Sequence, residues 1–119
     1  MKTVMVVDDS TSIRNVLKAS LVKDYTVLEA EDGLKGLELS KTSNVDAFLL
    51  DVNMPQMDGI TMLGELKKIE RYKSTLTLML TTETKDELRT KAKQLGASGW
   101  VIKPCDPEKL LEILKQLLS

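Results

Sequence analysis

The chain has 119 residues, 42% of them apolar and 29% charged, which fits one domain around one packed core and excludes an intrinsically disordered segment. Seventeen basic side chains meet eighteen acidic ones for a net charge of -1, so the cationic surplus that drives sequence-independent nucleic-acid binding is missing. Histidine is absent, which excludes hydrolases with a histidine base, His-ligated zinc or haem, and phosphohistidine carriers; the single cysteine, Cys105, can close no internal disulfide and fits a reducing compartment.

From the N-terminus, Thr3–Val7 is an apolar run of β-formers and predicts a strand. Ile13, Val16, Leu17 and Leu21 then recur at three and four residues, the stripe of an amphipathic helix. Thr26–Ala30 predicts a second strand, and residues 34–40 a helix whose interior Gly36 costs about 1 kcal/mol relative to alanine. After the third strand, Ala47–Leu50, Asp58 and Gly59 supply a turn and a cap for a helix carrying Leu63 and Leu66, again with an interior glycine, Gly64. The fourth strand is predicted over 76–80. Thr84 and Glu87 have the spacing of a capping box for a helix through Leu88, Ala92 and Leu95, which Gly96 closes. The fifth strand, 100–102, leads to Asp106 and Pro107, an N-cap and first-turn proline for a helix with a wide apolar face of Leu110, Leu111, Leu114, Leu117 and Leu118.

Strand and helix alternating five times predicts an α/β fold, a five-stranded parallel sheet, doubly wound, with helices on both faces. Ligands of such sheets bind beyond the carboxyl ends of the strands. There the sequence has Asp8 and Asp9 after Val7, Asp51 after Leu50, Thr81 after Leu80 and Lys103 after Ile102. Three carboxylates, a hydroxyl and an ammonium on one edge suit a hard divalent cation, Mg²⁺, together with a phosphoryl group. Each residue also has a plainer reading. Asp8 or Asp9 has the chemistry of an N-cap for the first helix, Asp51 that of an exposed turn residue, and Lys103 that of a solvated strand end.

Four segments in this order, VVDDS at 6–10, LLDVNMPQMDG at 49–59, LTTE at 80–83 and GASGWVIKP at 96–104, resemble the receiver domain of bacterial response regulators over essentially the whole chain. The resemblance implies the flavodoxin-like (βα)5 receiver fold as a single domain over 1–119. It implies that Asp51 takes a phosphoryl group from a histidine kinase. Asp9, Asp51 and the backbone carbonyl of Asn53 are then the expected ligands of Mg²⁺, with Asp8 acting through a bound water. Thr81 would donate its hydroxyl to one phosphoryl oxygen and Lys103 would pair with another, while Asn53 and Glu83 tune the rate of dephosphorylation. The expected charge balance is about -3 from the carboxylates against +3 from Mg²⁺ and Lys103. Without the cation, repulsion would raise the carboxylate pKa values and blunt Asp51 as a nucleophile.

Trp100 falls at the aromatic switch position of this family, although a lone tryptophan is also ordinary core or interface packing. Cys105 stands where relatives more often have a bulky aromatic, which predicts a small buried hydrophobe and some room near the fifth helix. The Lys103–Pro104 bond is cis in relatives. The subgroup it looks most like is the stand-alone chemotaxis regulators, because the chain ends with the fifth helix and carries no output domain. The expectation is therefore a cytoplasmic phosphorylation switch without nucleic-acid or membrane partners. Its partners would be a kinase, a phosphatase and a target such as the flagellar motor switch, met on the face of the fourth helix, fifth strand and fifth helix. No apolar run approaches the roughly 20 residues of a membrane span, and no signal peptide is expected ahead of the first strand. Two alternatives are a phosphorelay shuttle between histidine proteins and a Mg²⁺-dependent aspartyl phosphohydrolase. For the latter no general acid is evident, since Asn53 rather than a carboxylate stands two residues after Asp51.

Overall fold

A computed structural model describes residues 1–118. The elements alternate as β1 (Thr3–Val7), α1 (Thr11–Leu21), β2 (Thr26–Ala30), α2 (Gly33–Lys41), β3 (Ala47–Leu50), α3 (Gly59–Lys68), a 3-10 turn at Glu70–Tyr72, β4 (Leu76–Thr81), α4 (Asp86–Leu95), β5 (Gly99–Ile102) and α5 (Pro107–Leu117). The strands form one parallel sheet in the order β2-β1-β3-β4-β5. The expected five-stranded doubly wound α/β fold is what the chain adopts.

Strand alternation decides which helix each residue meets. Met5, Val7, Phe48, Leu50 and Met79 face a core built with Met62, Leu63 and Leu66 of α3 and Ala92 of α4. Their neighbours Val4, Val6, Leu49, Leu78 and Leu80 face the opposite core, with Leu17 and Leu21 of α1 and Leu110 and Leu114 of α5. Because β1 and β3 are covered on both sides, their sequences read as continuous apolar runs rather than alternating ones.

Three local expectations need correcting. Val16, placed on the buried stripe of α1, is 53% exposed, and Leu117 of α5 is equally exposed. The Thr84–Glu87 capping box does not form: α4 begins at Asp86 with Lys85 as an N-cap that makes no side-chain bond. The loop spends its local hydrogen bonds elsewhere, since the Glu83 N–H donates to Thr81 Oγ1 at 3.1 Å and the Lys85 N–H to Glu83 Oε1 at 3.2 Å. The other caps stand as expected, with Asp58 accepting from the Thr61 N–H, Asp106 from the Glu108 N–H, and Gly96 closing α4 at φ 106°.

Gly36, a cost within an isolated helix, is required by the packing. A Cβ there would lie 2.8 Å from Met62 Cε and 3.1 Å from Val7 Cγ2, so α2 packs closely on α3 and β1 and any added side chain makes the Met62 and Val7 side chains give way. The 3-10 turn seals the far end of α2. Tyr72, 1% exposed, places its hydroxyl 2.7 Å from the carbonyls of Ser40 and Ser43, and Arg71 donates to the carbonyls of Ser40 and Lys41 at 2.7 Å. Cys105 is half-buried rather than buried, because the room expected beside it is an apolar cleft of about 400 Å³ open to solvent and lined by Ile13, Leu17, Leu80, Pro104, Cys105 and Pro107. Burial, and then Asp106, push the Cys105 thiol pKa up, which suits a packing residue rather than a nucleophile. Lys103–Pro104 is cis.

Candidate functional site

The register of the sheet builds the site. Val7 of β1 stands opposite Leu50 of β3, so Asp8 and Asp51 leave the sheet side by side, and the Asp51 N–H donates to the Val7 carbonyl at 3.0 Å. Thr81 ends β4 opposite Ile102 of β5, and the Lys103 N–H donates to the Thr81 carbonyl at 2.9 Å. Four strand ends thereby bring Asp8, Asp9, Asp51, Thr81 and Lys103 to one edge. Carboxylate oxygens of Asp8, Asp9 and Asp51 all lie within 4.8 Å of one another.

Their surroundings differ. Asp8, Asp51 and Thr81 are buried, whereas Asp9 is exposed. Lys103 Nζ sits 2.5 Å from Asp8 Oδ2 and 3.3 Å from Asp51 Oδ2. Asp8 Oδ1 accepts from the Ser10 N–H at 2.9 Å, so both of its oxygens are occupied. Asp51 Oδ1 accepts from the N–H of Val52 at 2.8 Å. The Asp9 carboxylate accepts no hydrogen bond from any described residue. Neither aspartate caps α1: Ser10 does, its Oγ accepting from the Ile13 N–H at 3.3 Å.

Burial is the main reason the Asp51 pKa is raised, and the Asp8 carboxylate pushes the same way. The Lys103 charge, with hydrogen bonding from Lys103 and Thr81, opposes both. The donor set fits Mg²⁺, an oxygen-seeking ion that keeps several waters. Asp9 has a whole carboxylate free, whereas both oxygens of Asp8 and of Asp51 already have a partner, the Lys103 ammonium standing nearer to Asp8 than to Asp51.

The loop after β3 is drawn tightly around Asp51. The Gly59 N–H donates to the Val52 carbonyl at 2.9 Å, and a Cβ on Gly59 would lie 1.9 Å from the Asp51 carbonyl oxygen, so only glycine fits. Asn53 is exposed in this loop, and Gln56 takes a left-handed backbone at φ 68°. On the other side, Thr81 Oγ1 accepts the Glu83 N–H, and the Glu83 carbonyl accepts from Trp100 Nε1 at 3.1 Å. Thr81 and Trp100 are thus joined through a single residue. Trp100 is half-buried against the core beneath α4, so its packing and its link to the loop are both real.

Sequence reading missed the role of Ser10 as the cap and that of Arg14, whose Nη1 donates to the Asp8 carbonyl at 2.6 Å. The signal for Arg14 was its place one helical turn after the cap, which returns its side chain to the start of the helix.

The family model of the response regulator receiver domain matches residues 4–115. Among curated relatives, the chemotaxis protein CheY of Pseudomonas aeruginosa is 33% identical over 119 residues, covering 98% of this chain and 95% of its own. CheY of Bacillus subtilis is 32% identical, covering 98% and 97%. Among solved structures, chemotaxis protein CheY4 of Vibrio cholerae superposes with a TM-score of 0.93 at 40% identity over 99% of both chains. A CheY-like receiver domain from Methanospirillum hungatei superposes at 0.94 with 28% identity, over 99% of this chain and 94% of that one.

Proposed function

The chain belongs to the response regulator receiver domain family, and from that premise we propose that it is a phosphorylation switch whose phosphoacceptor is Asp51. The observation that carries the reading is a buried Asp51 carboxylate, flanked by the Lys103 ammonium and by the unengaged carboxylate of Asp9. An Asp51 oxygen attacks the phosphorus of a phosphohistidine on a kinase. The new P–O bond forms as the P–N bond breaks, and the imidazole departs with the electron pair. Asp9, Asp51 and the Asn53 carbonyl would hold Mg²⁺, which would supply charge neutralisation to the phosphoryl oxygens. Lys103 takes a further share of that charge, and buried Thr81 offers its hydroxyl to the product. Asn53 and Glu83 flank the site and set how readily water reaches the acyl phosphate.

Phosphorylation adds acceptor oxygens beside Thr81 and draws its hydroxyl inward. The Glu83 N–H then loses its acceptor, and the Glu83 carbonyl that holds Trp100 shifts with it. The readout is the face made by α4, β5 and α5, where Arg89, Lys93 and Trp100 line a cleft. The relatives named chemotaxis proteins, and one named a sensor histidine kinase, support a role in chemotaxis with a histidine kinase as phosphodonor; a cytoplasmic target in motor control is part of the proposal. No helix among the described residues is long and apolar enough to cross a membrane.

The test is labelling by a small phosphodonor with Mg²⁺, read by intact mass. One phosphoryl group is expected, labile to hydroxylamine and absent from Asp51→Asn. Label retained by that variant at wild-type level refutes the assignment.

A further inference from the structure

Asp8 is tied down at four points. Its N–H donates to the Ala30 carbonyl at 3.1 Å, its two carboxylate oxygens meet Ser10 and Lys103, and its carbonyl accepts from Arg14 Nη1 at 2.6 Å. Asp9 has only its backbone to aim it, because no described residue bonds its carboxylate. The two facts meet at the peptide between them. A peptide unit is planar, so a fixed Asp8 carbonyl fixes the Asp9 nitrogen and the direction in which the Asp9 Cα leaves.

The Arg14 side chain is itself held. It is 13% exposed, with Nη2 donating to Thr11 Oγ1 at 3.2 Å and Nε lying 3.5 Å from Glu29 Oε1. Glu29 also takes Lys18 at 3.2 Å, and it precedes Ala30, the residue that receives the Asp8 N–H. A guanidinium reaches the Asp8 carbonyl and Glu29 at once because its donors are spread over a rigid plane.

We propose that Arg14 is a positioning residue for cation binding: by clamping the Asp8 carbonyl it orients the Asp8–Asp9 peptide and so holds the Asp9 carboxylate in the site. This inference rests on the reading of Asp9 as a Mg²⁺ ligand. It makes a prediction opposite to simple electrostatics. Removing a positive charge near a divalent-cation site should tighten binding through space, whereas removing the clamp loosens it.

The test is calorimetric titration of the full chain with Mg²⁺ alone, for wild type, Arg14→Met and Arg14→Lys. Arg14→Met is expected to bind about tenfold more weakly, the usual scale for losing a group that orients a metal ligand. Arg14→Lys keeps the charge but not the plane, and is expected to bind several-fold more weakly; it also keeps the test open if Arg14→Met does not fold. Two readouts separate positioning from general damage. Amide hydrogen exchange should quicken at Asp9 while melting in EDTA stays near wild type, and labelling at Asp51 should recover its full rate at saturating Mg²⁺. A folded variant of either kind that binds Mg²⁺ as tightly as wild type, or more tightly, overturns the inference and leaves the functional reading standing. A wild-type chain that takes no Mg²⁺ overturns both.

Discussion

Three carboxylates sharing one ammonium make the metal-free site a source of instability, and Asp51→Asn should relieve it. With their oxygens within 4.8 Å, Asp8 and Asp9 each repel Asp51 by roughly 3 to 4 kcal/mol at an effective dielectric of about 20. Lys103, 3.3 Å away, returns roughly 5 kcal/mol on the same scale. Solvent screens the share of exposed Asp9, while burial of Asp51 adds a desolvation cost that outweighs the help from Lys103, so the ionised form carries a net penalty. Asparagine keeps the shape and an oxygen for the Val52 N–H while removing the charge, and Lys103 retains Asp8 at 2.5 Å. In EDTA at neutral pH the variant should melt about 5–10 °C above wild type.

The pH dependence has a definite sign. The folded-state pKa of Asp51 is raised, so between its unfolded and folded values the native state binds more protons, and stability falls as pH rises through that window. Acidification therefore protonates the wild type and closes its gap to Asp51→Asn, and Mg²⁺ should narrow the gap at neutral pH. Differential scanning fluorimetry over a pH series reads both effects. A variant less stable than wild type in EDTA, or a gap unchanged into the acid range, would refute the argument.

Thr81→Ala should leave labelling of Asp51 largely intact but remove the phosphorylation-dependent change in Trp100 fluorescence, because the Thr81–Glu83–Trp100 chain loses its first link. A response of wild-type size would mean that the signal leaves the site by another route. The two interior glycines should behave oppositely: Gly36→Ala should destabilise by about 1–3 kcal/mol through overpacking against Met62 and Val7. Gly64→Ala, whose Cβ would meet only Leu95 at 3.9 Å, should stabilise by about 0.5–1 kcal/mol; urea titration of both variants decides. Tyr72→Phe should lose about 1 kcal/mol in the same assay, since the phenol holds the carbonyl end of α2, and no loss would show that Arg71 seals it alone.

Much of this architecture is legible in the chain itself. The strands are recognisable as short runs rich in β-formers, and at four of the five the polar residues at the end of the run make up the site. Less legible was whatever depends on which groups meet across the fold. Val16 has helical spacing like Leu17, but periodicity gives the width of a stripe only approximately, and the sheet covers Leu17 alone. Thr84 and Glu87 satisfy a local capping pattern that loses to another local arrangement, in which Thr81 and Glu83 accept from N–H groups two residues on and the helix starts only at Asp86. Gly36 looked like a defect until Met62 and Val7 were beside it. Arg14 reads as a surface helix residue: its place one turn after the cap aims its side chain toward the helix start, but only the fold shows that the guanidinium meets the Asp8 carbonyl.

The Lys103–Asp8 pair joins residues 95 positions apart, one following the first strand and one the last. Bringing such distant points together is entropically costly and becomes favourable only when the intervening sheet is already laid down, so the contact belongs to the end of folding. A nascent chain that has formed β1, β3 and β4 carries its acidic cluster without the ammonium that balances it. The charge balance of the proposed phosphoacceptor site is thus complete only once the last strand has docked on the sheet.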